Sequence, residues 1–594
     1  MRGSVVKRLL LVIPVVLALI LVSLFMPVRR VSIEGIGTLS FKTAVTLSIG
    51  TEAAYASPAS LDVKKGTFTR QASTGNQPVT GVGFQPKAVI FFWTNQTAEG
   101  FSAGLSYGVG FAASATQEFA LSMAADDNVA TTNDGSRRSN SNSIIILSNG
   151  TPTLGAQADV ASFDADGFTV NWTTNNGAAT IIHYIALGGS DITNTYAGTF
   201  NSTIVTGNQI VSGVGFQPSF VMFLAPERAM TLDTNYAGGA FGIGFMTSAQ
   251  QGAMAFGIRD NQATATTADW QRTDHCIVAL RRAAAEASAT FVSMDADGFT
   301  INWDNAYGGA TAISFLAIKG GWHFVGNFTQ PGSTGQQPVT GTGFQPNGLM
   351  MFSFNDVANI AVVTVTPAAK ISIGAAQSST ARGTIWGHHA DGITPTDTNS
   401  LTKTTCAISL ATGPTTLNAE ADFVSFDSNG FTLNWTSADA TARQIIYWAM
   451  GSVVPSISNA PTSWSLGIVQ PSTSYWSGLV PTFPLDDTEC NFTVTNNGTV
   501  TVNITVKGTN FTGGSPGWTL VTSSPIADEV RIKAGKSGDL LETNMVILTT
   551  SEQSFITGLT ATGTKKWEIK METGSSFSNG DPKTGIITLT ATAA

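Results

Sequence analysis

Gly83-Phe84-Gln85-Pro86 returns as Gly215-Phe216-Gln217-Pro218 and again as Gly343-Phe344-Gln345-Pro346. About 80 residues after each copy stands a second signature, Asp164-Ala165-Asp166-Gly167-Phe168-Thr169-Val170-Asn171-Trp172, then Asp295 to Trp303, then Asp427 to Trp435. Two motifs that keep one order and nearly one separation three times mark a tandem array of one unit. Gly66-Thr67-Phe68, Gly198-Thr199-Phe200 and Gly326-Asn327-Phe328 open the units, and Ile185 to Gly188, Leu316 to Lys319 and Trp448 to Gly451 close them. The array is therefore read as 66–189, 198–321 and 326–451, each about 124 residues, an ordinary size for one sandwich domain. The short joints predict a semi-rigid string.

Within a unit the periodicity is that of strands. Phe168, Val170 and Trp172 alternate with Thr169 and Asn171, as in a half-buried strand, and Asp164 to Gly167 is the turn that precedes it. After each Gly-Phe-Gln-Pro comes a nearly unbroken apolar run, Ala88 to Phe92, Phe220 to Phe223 and Gly348 to Phe352, which predicts a strand covered on both faces. The preceding prolines lack an amide donor and fit the start of such a strand.

Composition agrees. Charged residues are 12% of the 594 and the net charge is −9, with six basic side chains confined to the first 56 residues. A body this poor in Lys and Arg excludes nucleic acid as a partner. Leu9 to Val28 is an uncharged run long enough to cross a ~30 Å hydrocarbon core as a helix, and Arg2, Lys7 and Arg8 before it predict a cytoplasmic N-terminus with the rest exported. Residues 1–30 are read as a signal-anchor or signal segment, 31–65 as a linker, and the location as extracellular, membrane-anchored or secreted. The three cysteines, Cys276, Cys406 and Cys490, fall in separate units, so no disulfide is expected. Residues 452–463 read as a second linker. Phe492 to Val494, Asn496-Asn497-Gly498 and Val500 to Val506 predict a hairpin inside a last, immunoglobulin-like sandwich over 464–594. The fold class is all-β: three tandem antiparallel sandwiches, a C-terminal immunoglobulin-like one and one N-terminal helix.

The unit's layout, from Gly-x-Phe through Gly-Phe-Gln-Pro and Asp-Gly-Phe to Tyr184-Ile185-Ala186-Leu187-Gly188, resembles the lectin-like sandwich modules of H-type lectins, phage tail fibres and bacterial surface proteins. That resemblance implies attachment or glycan binding. Residues 464–594 resemble sandwich modules of prokaryotic surface proteins, including wall-binding domains with paired Trp-x-Leu motifs; Trp518-Thr519-Leu520 matches, whereas Trp567-Glu568-Ile569 ends in Ile.

A group doing chemistry in every copy should recur, and the histidines do not: His183 aligns with Ser314 and Ile446. No Gly-x-Ser-x-Gly elbow, His-Glu-x-x-His helix or phosphate loop is present, so a non-enzyme is expected. Asp164 and Asp166, Asp295 and Asp297, and Asp427 and Asn429 are oxygen pairs of the kind calcium uses, but two side chains fall short of six to eight ligands, and a plain hairpin turn is the favoured reading. No other cofactor is implied. Trp172, Trp303 and Trp435 share a face with Phe and Val and read as core. The non-recurring Trp93, Trp270 and Trp386, beside Asn95, Arg272, His388 and His389, are the candidate ligand residues, because variable segments on a repeated scaffold carry specificity. The leading expectation is an exported surface protein that binds a glycan or surface polymer. Its rivals are a coat or filament subunit contacting neighbouring copies of itself, and a polysaccharide hydrolase or lyase with one active copy.

Overall fold

The computed structural model describes residues 45–594 except 56–59, 149, 229, 283, 355–364, 368, 414–415, 453–455, 499–500, 561 and 594. The expected N-terminal apolar helix lies outside the described residues. No helix among them is long and apolar enough to cross a membrane.

The regular structure described is almost all antiparallel sheet. A four-stranded sheet occurs three times, in the order Gly75–Thr80, Gly167–Asn175, Leu154–Asp164, Ile144–Leu147 for the first copy and in matching order for the others. Facing each is a larger sheet; in the first copy it runs Asp134–Ser139, Gln117–Ala125, Leu105–Ser114, Pro86–Trp93, Ile181–Gly188, Asp62–Thr69. The predicted alternation holds: Phe168, Val170 and Trp172 are buried while Thr169 and Asn171 are half-exposed. At the turn Asp164 pairs with Gly167, whose φ is +146°. A Cβ there would meet the Val79 carbonyl oxygen at 2.0 Å, and Gly298 and Gly430 stand equally close to the Val211 and Val339 oxygens, so the turn admits only glycine.

The apolar runs are covered on both faces, for a reason the sequence does not announce. Val89 and Phe91 fill the sandwich of the first copy, whereas Ala88, Ile90 and Phe92 enter one core shared by all three copies. There Phe220 stacks on Trp448 at 4.0 Å, Phe245 packs tilted against Phe352 at 4.6 Å, and Tyr107 meets Phe241 edge-on at 5.7 Å, each pair joining two copies. The expected string is thus a closed ring.

Backbone exchange seals that ring. Asn235–Ala237 of the second copy pairs with Asp134–Ser139 of the first, Thr366–Pro367 of the third with Thr267–Arg272 of the second, and Gly100–Ala103 of the first with Thr398–Lys403 of the third. At one end three loops interlock. Asn128 N donates to Thr396 O and Thr396 N to Val129 O; Asn261 and Thr132, then Gly392 and Ala265, repeat the pattern around the ring. Asp127, Asp260 and Asp391 accept from the backbone N–H of Thr398, Asp134 and Thr267, each in the adjoining copy, at 2.7–2.9 Å.

The C-terminal region also departs from expectation. Val45–Tyr55, inside the expected 31–65 linker, is a strand lying between Ser463–Val469 and, in parallel, Lys583–Ala593. Ile457–Ala460, inside the expected 452–463 linker, pairs with Phe492–Asn496. The hairpin predicted around Asn496-Asn497-Gly498 does not form, because Phe492–Asn496 and Val502–Gly508 belong to opposite sheets. Both are apolar on alternate residues, and burying Phe492, Val494, Val502, Ile504 and Val506 in one core sets them face to face.

Candidate functional site

The recurrent signatures hold the fold. Asp166 accepts from the N–H groups of Gly81 at 3.0 Å and Gly83 at 2.6 Å, and Asp297 repeats this with Gly213 and Gly215. In the third copy the Asn429 side chain accepts from Gly343 and its carbonyl from Gly341. Asp164 accepts from the Ser162 and Thr169 hydroxyls, as Asp295 does from Ser293 and Thr300 and Asp427 from Ser425 and Thr432. The two members of each oxygen pair thus serve different partners, one clamping the loop before Phe-Gln-Pro and the other stitching the hairpin. Among the described residues no group of three or more His, Cys, Asp or Glu is placed to hold a metal ion. The signature glutamine donates to Phe163, Met294 or Phe426 O, tying the first motif to the second. Trp172, Trp303 and Trp435 are buried, their indole N–H groups received by Gln77, Gln209 and Gln337.

The candidate tryptophans are interior as well. Trp93 and Trp386 are fully buried and donate to Ile145 O and Ala411 O, and Trp270 is 4% exposed. None offers a ring face to a ligand, since each lies where the large sheet meets other strands and its area is worth more inside. His388 is stacked on Trp386, and burial pulls its imidazole down to about 4, so it is neutral. His389 bridges to Asp134 of the first copy at 3.1 Å, in full burial. Arg272 makes a two-pronged bond to Asp274, which also meets His275, and His275 reaches Asp304 at 2.8 Å. Both ring nitrogens of His275 are thereby occupied by carboxylates. The candidates do not converge on one site. Of these candidates Asn95 lines an open cleft, of about 480 Å³, with Asp126, Asp127, Ser106 and Ser400, and among the described residues its buried Oδ1 has no hydrogen-bond partner.

A second kind of cleft recurs at the seams. Between the third and first copies, Gln345, Pro346 and Asn347 face Leu61, Asp62 and Phe84 across about 570 Å³. At the matching place between the second and third, Gln217, Pro218 and Ser219 face Trp322, His323 and Phe324 across about 480 Å³, with Thr247, Ser248, Gln250 and Thr342 completing the wall. At the remaining seam Lys87, at the position of Ser219 and Asn347, crosses to Gly189 O and Ile192 O. In the second-to-third cleft Trp322 and Phe324 are half-buried, beside amides and hydroxyls, and no charged side chain lines it. His323 accepts from Trp448 and is held neutral, burial bringing it to about 4. Sequence reasoning missed Trp322 because it lies between the boundaries drawn at 321 and 326. The available signal was an aromatic residue in a joint where the other copies carry Asp62 and Asn194.

No protein-family profile and no curated protein matches this chain. Among solved structures, a fructofuranosidase from Schwanniomyces occidentalis complexed with fructose aligns over 67% of this chain and 98% of its own, at 7% identity and a TM-score of 0.10. Overlap at that level carries no argument about fold or activity.

Proposed function

We propose that this chain is a non-enzymatic surface-binding protein, exported and held by its N-terminal apolar segment, whose three lectin-like sandwiches form one rigid head that binds a saccharide. The observation that carries the reading is the uncharged cleft around Trp322. A half-buried aromatic face beside Gln217, Gln250, Ser219 and Thr342 offers stacking for the apolar face of a sugar ring and donors and acceptors for its hydroxyls. The cleft is built at the meeting of two copies, so it is preorganised by the ring and pays little ordering cost on binding. A glycan array probed with the whole protein tests it. Binding to at least one saccharide, lost in Trp322→Ala and retained in Trp322→Phe, is the expected result; silence across the array overturns it.

A second reading, a coat or filament subunit, is favoured by one separate observation, an unguarded sheet edge on the second copy. Turnover of a polysaccharide by the whole protein would replace both readings with the enzymatic one.

A further inference from the structure

Strand Gly207–Ser212 is the outer strand of its four-stranded sheet, as Gly75–Thr80 and Gly335–Thr340 are of theirs. Each pairs on one side only, in the same register: Pro78 lies opposite Thr169, Ile210 opposite Thr300 and Pro338 opposite Thr432. A proline fits a ladder only where the N–H is not used by the neighbouring strand, so at this register the backbone polar groups point to the open side. In the first and third copies that side is blunted by proline, a standard guard against edge-to-edge association. The second copy has Ile210 there, 72% exposed. The turn leading in differs the same way: Ile204 and Val205, 63% and 66% exposed, stand where the siblings carry Ala72 and Ser73, and Gly332 and Ser333. From Thr203 to Ser212 there is no charge.

We infer that the open edge of strand Gly207–Ser212 pairs antiparallel with the same strand of a second copy of this chain, joining two four-stranded sheets into one of eight. The occupant follows from self-complementarity. Asn208, Ile210 and Ser212 are the exposed, alternate residues of this strand. About a two-fold axis through Ile210 they set Ile210 against its own counterpart and Asn208 against Ser212, apolar on apolar and amide on hydroxyl, with no like charges opposed. A foreign strand would need a sequence chosen to match, whereas this one matches itself. One strand and three aliphatic side chains bury less than the ~800 Å² per partner of a standard interface, so the pairing is concentration-dependent, not obligate. This step is independent of the saccharide reading and gives the coat reading a defined contact.

Sedimentation of the full chain in detergent, over a concentration series, tests it with two variants. Ile210→Pro installs the residue that the sibling strands already hold at this register, so the fold is expected to survive, and Ile210→Lys places a guarding charge on the edge. Wild type is expected to shift from monomer towards dimer as concentration rises, and both variants to weaken that association at least tenfold with unchanged circular dichroism. A wild type that stays monomeric throughout, or variants that associate as tightly as wild type, overturns the inference. Glycan-array binding by Ile210→Pro keeps the two readings apart, since it should equal that of wild type.

Discussion

Asp164 and Asp166 stand two residues apart, and the sequence gives no sign that they do different work. Their spacing made a shared cation conceivable; the deciding fact was the chain 85 residues upstream, where the Gly81 and Gly83 amides wait for Asp166. Those two bonds hold the Asp166 carboxyl below its ordinary value, so its contribution is present above the unfolded pKa of ~3.9 and fades as pH falls below it. Asp166→Ala should lower Tm at pH 7, whereas Asp166→Asn should keep most of it, because Asn429 serves the third copy. Millimolar calcium should leave the wild-type melting curve unmoved, since a ligand of the native state must raise it. Glu568 behaves in the opposite sense. It is fully buried, neither carboxylate oxygen has a hydrogen-bond partner among the described residues, and burial, with the Glu489 charge adding, pushes it up to about 8. A raised native pKa means stability complete below ~4.3, the unfolded value, and lost as pH rises through about 8. Calorimetry should therefore find Glu568→Gln equal to wild type at pH 4 and more stable at pH 9.

At the scale of strands, most of the pattern was legible because burial on a pleated surface imposes alternation, and the three copies repeat it. What was illegible depends on partners far away in sequence. The Asn496-Asn497-Gly498 segment looks like a hairpin turn, yet the Asn496 amide donates to Leu559 and Thr560 O, and the chain crosses between sheets. Gly244 is a second case. Like Gly110 and Gly374 it lies in the middle of a strand, where glycine is normally a cost, and local reading gives it no purpose. The backbone of the opposite sheet passes so close that a Cβ on Gly244 would lie 1.8 Å from the Cys276 carbonyl oxygen. Gly244→Ala should therefore destabilise by about 1–3 kcal/mol through forced backbone displacement, measurable by denaturant titration. Gly207→Ala is the opposite case: at φ +122° with nothing within 4 Å of its Cβ, any loss there reads the backbone conformation alone, a term Gly244 does not carry.

The whole molecule was the least legible level, since a tandem repeat is compatible with beads on a string or with a closed ring. The choice is made by the second face of the apolar strands. Ile90 and Phe92, Met222 and Leu224, and Met350 and Phe352 are all buried, and each covers the others. A copy cut free would expose that face, together with Tyr107, Val109 and Phe111 of the neighbouring strand in the first copy. It would also lose the loop bonds to Thr396 and Gln262 and leave the edge of Asp134–Ser139 unpaired. Each fully buried aliphatic or aromatic side chain is worth about 1.5–3 kcal/mol, so half a dozen returned to water cost about 9–18 kcal/mol, as much as the 5–15 kcal/mol that keeps an ordinary domain folded. Residues 60–189 expressed alone should therefore be insoluble or bind a hydrophobic dye, while the whole chain should lose its three copies in one cooperative melting transition. Protease added to the native chain should likewise fail to release single copies at the joints near 190 and 322, because the closed ring holds both sides of any cut together. Recovery of a folded, monomeric 60–189, or three resolved transitions, would show that the copies are independent after all and that the seams are mere contacts.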